Sequence, residues 1–380
     1  MIYLDYNATT PIAPDVFEAM RPFLTTEWGN PSSAYGLGVT ARNAVAKARE
    51  QVAQLVGAHP GEILFTSCAT ESNNAAIHAA LMARAEKRHI ITSAVEHSSV
   101  LQFCRFLEQD GYRITYLPVD REGLLDISDL EASIGDDTAL VSLMWANNET
   151  GVLFPVEQIA GVCHEHGVLF HCDAVQMVGK MSVNAERTGA DYLSLSGHKF
   201  HAPKGVGALY VHRKAPFCPY LHGGHQEQGR RGGTENVALV VGLGVAAELA
   251  LTRVNDYEKL IRPLRDSLES DILGGVECAE LNGHRTLRLP NTTNISFRGV
   301  SSDALVLVLE GEGVCVSSGS ACLADSGEPS HVIKAMKPEI GDARQSLRLS
   351  LGYDSLREAV VIAASAIVAS VKGLLEMRGA

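Results

Sequence analysis

Between residues 60 and 211, short apolar runs alternate with longer segments in which apolar positions recur at helical spacing. This alternation is typical of a parallel β-sheet whose two faces are covered by helices. Helices such as Glu71–Ala85 and Val156–His166 lie between the runs. Seven runs are predicted as buried strands: Ile63–Thr66, His89–Ser93, Arg113–Val119, Ala139–Trp145, Val168–Cys172, Tyr192–Leu195 and Val206–Val211. We therefore predict an α/β fold built on a mainly parallel, seven-stranded sheet.

The pattern changes after this region. Asn236–Arg253 is predicted as a long apolar helix and Asp256–Ile272 as an amphipathic one. Beyond about residue 275 the pattern predicts a small α+β domain with these elements: strands Asn294–Phe297 and Leu347–Leu351, helix Asp303–Leu309 and a final helix from Ser355. A single core would be near its upper size limit in a chain of 380 residues, so a large domain and a small one are expected.

Charge and apolar length restrict the partners. Lys and Arg number 32 against 44 Asp and Glu, a formal net charge of −12 that disfavours nucleic acid. The longest apolar stretches, Ala238–Thr252 and Ala359–Val371, are short for a membrane span. Residues 1–7 lack the basic and apolar pattern of a secretory signal. We expect a cytoplasmic protein that acts on a small molecule or binds another protein, without binding nucleic acid or membranes.

Two sequence patterns imitate ligand sites. The cluster Cys163, His164, His166, His171 and Cys172 contains metal-ligand types, but His171 and Cys172 are neighbours on a strand and point to opposite faces. The segment Gly242–Ala247 is similar to a dinucleotide fingerprint, yet no strand precedes it. Neither pattern is therefore expected to bind a ligand. The eight cysteines include no CxxC pair, which indicates free thiols in a reducing compartment.

Polar residues follow the predicted strands. Because parallel strands end at one edge of a sheet, these residues should meet in one pocket. They are Cys68-Ala69-Thr70 at the start of a helix, Glu96-His97, Asn147-Asn148, Asp173 with Gln176, and Ser196-Gly197-His198-Lys199. A helix N-terminus binds phosphate through its free N–H groups. A phosphate seat, an imidazole, an amide, a carboxylate and a lysine together suit pyridoxal phosphate.

These motifs resemble those of the cysteine desulfurases, which are fold type I pyridoxal-phosphate enzymes. The resemblance covers nearly the whole chain, in order, through these segments: Tyr3–Thr10, Cys68–Ser72, Val95–His97, Asn147–Gly151, Asp173–Gln176, Ser196–Lys199, Pro203–Gly205, Ser317–Cys322 and Glu328–Ser330. Ser317–Cys322 is similar to the first of the family's two classes. Met144–Gly151, His222–Glu227 and Arg230–Asn236 are closer to the NifS branch, associated with nitrogenase cofactor supply, than to the housekeeping IscS branch.

The resemblance implies roles for individual residues. It implies a large domain, 14–255, that binds pyridoxal 5'-phosphate, and a small domain, 1–13 and 256–380, that carries the catalytic cysteine. Lys199 binds the cofactor covalently and moves the Cα proton, Asp173 keeps the ring nitrogen protonated, and His97 stacks on the ring. The remaining cofactor-binding residues implied are Ala69, Thr70, Asn148, Gln176, Ser196, His198 and, from the partner subunit of a homodimer, Thr234.

The same resemblance implies how sulfur is released. Arg348, with Asn148 nearby, binds the carboxylate of the substrate L-cysteine. Cys322 attacks the substrate sulfur and becomes a persulfide, and L-alanine leaves. The sulfur then passes to an iron–sulfur scaffold protein, with nitrogenase as the expected destination. No resident metal is implied, although Cys322 is expected to be able to carry a transient persulfide-linked iron–sulfur cluster.

Other interpretations stay open on the residues themselves. The same cofactor chemistry could act on selenocysteine or in a transamination, in which case Cys322 would be dispensable for activity on cysteine. A non-catalytic scaffold would carry no cofactor. Asp173 alone could cap a helix. The segment with His222, His225, Arg230 and Arg231 is either a solvated loop or part of the phosphate site.

Overall fold

The computed structural model describes residues 1–318, 329–339 and 344–379. Cys322 lies outside the described residues. In chain order the strands are β1 (Ile2–Tyr3), β2 (Ile63–Thr66), β3 (His89–Ser93), β4 (Arg113–Leu117), β5 (Thr138–Met144), β6 (Leu169–Asp173), β7 (Tyr192–Ser196), β8 (Gly207–Val211), β9 (Ala279–Asn282), β10 (Thr292–Phe297), β11 (Val314–Cys315) and β12 (Ser346–Ser350).

The helices cover the sheet and build the second half. They are α1 (Pro14–Thr25), α2 (Gly36–Val56), α3 (Ala69–Ala83), α4 (Ser98–Gln109), α5 (Ile127–Ser133), α6 (Val156–Glu165), α7 (Ala185–Thr188), α8 (Val237–Asp256), α9 (Arg262–Gly275), α10 (Ser302–Gly311), α11 (His331–Met336) and α12 (Arg357–Gly379). Short 3₁₀ segments lie at Pro60–Glu62, Gly197–Lys199 and Gln226–Gly229.

The central sheet contains all seven predicted strands, in the order β2-β8-β7-β6-β5-β3-β4. The predicted α/β fold with a mainly parallel sheet is therefore confirmed. Only β8 runs antiparallel to its neighbours β2 and β7. It follows β7 after a short connection that contains no crossover helix, and a parallel pairing would need such a helix. The carboxyl ends of β2, β3, β5, β6 and β7 consequently share one edge.

Helices bury both faces of this sheet. Alternate strand residues such as Phe65 and Phe170 pack with α2, α6 and α8 on one face. Their neighbours, such as Leu64 and Leu169, pack with α3 and α4 on the other. Because each strand is buried on both faces, its sequence is a continuous apolar run instead of an alternating one.

A further apolar cluster forms around the last third of the chain. It joins α9, α10 and α12 to the antiparallel sheet β12-β10-β9, and it includes Leu4 from the N-terminal segment. β1 pairs in parallel with β11, which ties the first residues to this cluster. The predicted strands and helices of this region are confirmed with small shifts of their ends.

The long helices differ from the sequence prediction in their extent. α8 continues through a π-helical turn, Tyr257–Ile261, into α9, so that one helix runs from Val237 to Gly275. This helix and Arg357–Arg378 are long and apolar enough to cross a membrane by length and composition. Both pack against other helices, α8 on α1 and α2 and α12 on α9 and α10, as core helices of a globular fold do.

The glycines of Gly242–Ala247 lie within α8, as the missing strand predicted. A Cβ at Gly244 would stand 2.6 Å from the Cα of Ala48 in α2, and one at Gly242 would stand 2.7 Å from the sulfur of Met20 in α1. The two glycines therefore let three helices approach closely, and no phosphate loop is formed.

We predict that Gly244→Ala destabilises the protein by about 1 to 3 kcal/mol, because the new methyl group overlaps the α2 backbone. Gly161→Ala is the matched control, since Gly161 lies in α6 with nothing within 4 Å of its added Cβ. It should stabilise by up to about 1 kcal/mol. Denaturant unfolding measures both variants. Equal effects of the two substitutions would contradict the packing role of Gly244.

Candidate active site

A cavity of about 410 Å³ opens at the edge of the sheet where the parallel strands end. Its walls come from the ends of β3, β5, β6 and β7, the start of α3, the N-terminal segment and β12. The predicted site residues that line it are Ala69, Thr70, His97, Asn148, Asp173, Gln176, Ser196, His198, Lys199 and Arg348. Thr234 is exposed and does not line it.

Lys199 is the last residue of the 3₁₀ turn that follows β7. Its Nζ donates to the backbone oxygen of Asn7 at 2.6 Å and to that of Ala8 at 2.8 Å. The N-terminal segment thus meets the lysine inside the cavity. Asn7 was not among the predicted site residues, although it lies within the Tyr3–Thr10 motif.

A second lysine stands close to Lys199 and was also missed. Lys180 is 1% exposed, and its Nζ donates to Asn7 Oδ1 at 2.8 Å and to Gln176 Oε1 at 2.5 Å. Burial lowers the pKa of Lys180 well below its usual value, and the charges of Lys199 and Arg348 lower it further. Gln176 Nε2 in turn donates to the Asn7 oxygen at 3.0 Å, so both ends of its amide are held.

Asp173 is the last residue of β6 and is buried. Its Oδ1 accepts from the backbone N–H of Val175 at 3.0 Å, and its Oδ2 accepts from Asn73 Nδ2 at 2.7 Å. No helix begins directly after it, so the carboxylate does not serve as a helix cap. It is instead a wall of the cavity.

His97 is the N-cap of α4, and its Nδ1 accepts from the backbone N–H of Ser99 at 3.1 Å. Burial lowers the pKa of His97; Lys199 and His331 also lower it, while Asp173 opposes them. The imidazole is therefore neutral near pH 7. Since Nδ1 accepts, its proton is on Nε2.

The start of α3 is a seat for an anion. No side chain caps this helix, so the N–H groups of its first turn have no side-chain acceptor. Thr70 and Ser196 supply hydroxyl groups at the cavity wall. His198 Nδ1 lies 3.2 Å from Thr9 Oγ1, and burial, followed by Lys199, lowers the pKa of His198 to about 4. The donors therefore suit a phosphate group.

Arg348 points from β12 into the cavity and is 3% exposed. Its Nη2 pairs with Asp5 Oδ1 at 2.7 Å and its Nη1 donates to the Asn148 oxygen at 3.2 Å. Its Nε has no hydrogen-bond partner within the part of the chain that the structure describes. This guanidinium can still donate a bond to an anion that enters the cavity.

The arginines of the 222–231 segment brace it against the sheet domain instead of lining the cavity. Arg231 forms an ion pair of 2.9 Å with Glu71, the residue after Thr70. Arg230 donates to the backbone oxygen of Ile63 at 3.3 Å. His222 and His225 are exposed. This arrangement favours a positioned loop near the anion seat over a fully solvated one.

The cysteine and histidine cluster is divided between structural roles. His171 is buried, and its ring nitrogens lie 2.8 Å from Ser142 Oγ and 2.9 Å from Ser194 Oγ. Burial raises the pKa of Cys163 to about 12 and that of Cys172 well above its usual value. In the described ranges, no three metal-ligating side chains come together.

The donors at the cavity wall form the set that pyridoxal phosphate requires. The uncapped start of α3 faces the phosphate, Asp173 offers a carboxylate for a protonated ring nitrogen, and Lys199 offers an amine for the aldehyde. The residues therefore fit the cofactor on their chemistry.

Comparison with known proteins gives the same family. Residues 2–361 match the model of the class-V aminotransferases. A cysteine desulfurase of Nostoc sp. strain PCC 7120 is 54% identical over 92% of this chain and 88% of its own. The cysteine desulfurase NifS of Azotobacter vinelandii is 48% identical over 94% and 90%, and the cysteine desulfurase IscS of Dictyoglomus turgidum is 47% identical over 94% and 91%.

A solved structure described as a NifS-like protein superposes with a TM-score of 0.92, at 37% identity, over 98% of this chain and all of the other. Its fold supports the same assignment as the sequence matches. Class-V aminotransferases use pyridoxal phosphate, which agrees with the donors at the cavity wall. Together, the family match and the relatives establish that this chain belongs to the cysteine desulfurases of the class-V aminotransferase family.

Proposed function

We propose that the desulfurase reaction takes place in the cavity at the carboxyl edge of the sheet, with L-cysteine as substrate. The observation that carries the proposal is the convergence of Lys199, Asp173, His97 and Arg348 on this one cavity, beside the uncapped start of α3. A lysine, a carboxylate and a guanidinium of this kind have no shared structural task. They match the aldehyde, the ring nitrogen and the substrate carboxylate in turn.

The cavity residues would hold the cofactor at three places. Ala69, Thr70, Ser196 and His198 surround the anion seat, while Gln176 and Asn148 lie along the wall near Lys199. Asp173 would keep the ring nitrogen protonated and His97 would lie against the ring. Bound pyridoxal phosphate supplies an electron sink for charge that develops at the substrate Cα.

Lys199 would move the proton at Cα. To accept that proton its Nζ must be neutral, and two features favour this. Lys180 stands close enough for its charge and that of Lys199 to affect each other, so two charged amines together are disfavoured. The groups that hold Lys199 are the backbone oxygens of Asn7 and Ala8.

Arg348 would orient L-cysteine by its carboxylate. A guanidinium presents a planar pair of donors that suits a carboxylate. Asp5 and the Asn148 oxygen already fix the guanidinium plane, so its direction is set before substrate arrives. Asn148, whose backbone is tied to Arg348, would contact both the substrate and the cofactor.

The sulfur step is assigned to Cys322 by sequence. Its thiolate would attack the substrate sulfur, so that a new S–S bond forms as the substrate Cβ–S bond breaks. The electron pair of that bond stays with the carbon skeleton, which takes up protons and leaves as L-alanine. Cys322 keeps the sulfur as a persulfide for an acceptor.

We predict that Lys199→Ala loses the visible absorption of covalently bound cofactor and all turnover. Cys322→Ala should keep that absorption and lose the formation of alanine from L-cysteine, because only the sulfur acceptor is removed. Cys278→Ala, at a half-buried cysteine outside the cavity, is the control. Absorption spectra and alanine assays measure these effects. Equal activity of Cys322→Ala and wild type would instead favour a selenocysteine or transamination reaction.

We predict that Arg348→Lys raises KM for L-cysteine at least about tenfold with a smaller change in kcat, because the bidentate carboxylate contact is lost. Arg298→Lys, at an exposed arginine, is the control. Steady-state kinetics measures both, and thermal unfolding checks that loss of the Asp5 pair has not unfolded the variant. An unchanged KM in a folded Arg348→Lys protein would refute this role.

The active form is proposed to be a homodimer in which Thr234 completes the partner's phosphate site. Thr234 is exposed and lies away from the cavity of its own chain, so it can act there only from a second copy. Exposed aromatic side chains such as Trp28 (67%) and Tyr35 (58%) support an interface.

We predict that mixed dimers of Lys199→Ala and Thr234→Ala subunits recover activity that neither homodimer has at limiting cofactor. In the mixed dimer, one site combines an intact Lys199 with an intact Thr234 from the other subunit. Co-expression with two affinity tags isolates this species, and its affinity for pyridoxal phosphate is measured. Failure to recover wild-type affinity at half of the sites would place Thr234 outside the partner's site.

The acceptor and the domain division are proposed on the same family grounds. An iron–sulfur scaffold protein in the cytoplasm would take the sulfur, and the motifs of the NifS branch support nitrogenase as its destination. The cluster that joins Leu4 to residues from Tyr257 onward supports a small domain of 1–13 and 256–380 beside a large domain of 14–255.

A further inference from the structure

Two buried side chains connect Asp173 to His97. Asn73 Nδ2 donates to Asp173 Oδ2 at 2.7 Å and to Ser99 Oγ at 2.8 Å. Ser99 Oγ lies 2.9 Å from His97 Nδ1, which also accepts from the backbone N–H of Ser99. Asn73 is fully buried and Ser99 is 8% exposed, and both line the cavity. A continuous chain of hydrogen bonds therefore joins the carboxylate to the imidazole.

The direction of each bond follows from its partners. Asp173 presents only acceptors when ionised, so Asn73 must turn its NH₂ group toward the carboxylate. That amide also donates to Ser99 Oγ, which leaves the hydroxyl proton for His97 Nδ1. A backbone N–H can only donate, so Nδ1 is an acceptor in any case. The proton of the neutral ring is consequently on Nε2.

The amide orientation of Asn73 leaves its own oxygen unsatisfied. Asn73 Oδ1 is buried and has no hydrogen-bond partner within the described ranges. A buried acceptor without a donor is unfavourable, and turning the amide over would satisfy it no better, because its oxygen would then face the carboxylate. The contact with Asp173 therefore decides the orientation of this side chain.

We propose that Asn73 and Ser99 are positioning residues: Asn73 aims the Asp173 carboxylate at the cofactor ring nitrogen, and Ser99 holds His97 as the Nε2–H tautomer. The inference rests on the proposed function, in which Asp173 and His97 contact the cofactor. It assigns to each of the two side chains a task that packing alone would not require.

The first test compares two cofactors on the cofactor-free protein. Asn73→Leu has a similar shape but cannot donate to Asp173. We expect it to weaken the binding of pyridoxal phosphate about tenfold, the effect of losing one bond to a charged group. Binding of a deaza analogue, in which C–H replaces the ring nitrogen, should change by less than about twofold, since that analogue forms no bond with Asp173.

The control is Ser142→Ala, which removes a buried serine–histidine bond of 2.8 Å outside the cavity. It should leave the affinity for both compounds unchanged. If Asn73→Leu does not fold, Asn73→Ala replaces it, with thermal unfolding as the check. An equal loss of affinity for both compounds would overturn the role of Asn73. Absence of pyridoxal phosphate binding in the wild type would instead refute the proposed function.

The second test follows the His97 ring by nitrogen NMR of the cofactor-free protein, with His97→Gln used to assign its signals. We expect the Nε2–H tautomer in the wild type. The two bonds to Nδ1 exist only in the neutral ring, so Ser99→Ala should raise the pKa of His97. The charged groups facing the ring, Asp173, Lys199 and His331, are unchanged in this variant. A Nδ1–H tautomer, or an unchanged pKa in Ser99→Ala, would refute the role of Ser99.

Discussion

One buried amide, Asn7, holds together the groups on which the active site depends. Its backbone oxygen accepts from Lys199 and Gln176, and its side-chain oxygen accepts from Lys180. Its Nδ2 donates to Thr292 of β10, and its N–H donates to Ser350 of β12. The N-terminal segment thereby ties the strands of the small sheet to the carboxyl edge of the large one. Without this residue, three side chains in the cavity would lose an acceptor at the same time.

The charges around the cavity are balanced for anionic ligands. Lys180, Lys199 and Arg348 are buried or partly buried, and Arg348 alone has a carboxylate partner, Asp5, among its described hydrogen bonds. Glu149 is buried in the wall, and burial raises its pKa to about 7, which reduces its negative charge at neutral pH. A phosphate and a substrate carboxylate would therefore enter a cavity of net positive charge. The acidic exterior of the chain has no bearing on this local field.

Local patterns predicted most of the fold but not all of it. The seven strands were found because each is a short, wholly apolar run. Helix α2 was missed because its buried stripe consists largely of small residues such as Ala41, Ala48 and Ala53, which give a weak hydrophobic period. The reversal of β8 was missed because strand direction depends on the connection and leaves no trace in the apolar pattern of the strand itself.

By itself, the sequence determined the strand ends, and with them the residues that reach the cavity. Lys199, Asp173, His97 and Thr70 each follow a strand, and parallel strands end together, so their convergence could be derived before any coordinates. Only the tertiary structure decided which groups hold them in place. Asn7, Lys180 and Asn73 come from three separate segments, and hydrogen bonds such as Asn73–Asp173 join residues 100 positions apart. Such contacts depend on chain reversal and helix packing, which no local pattern encodes.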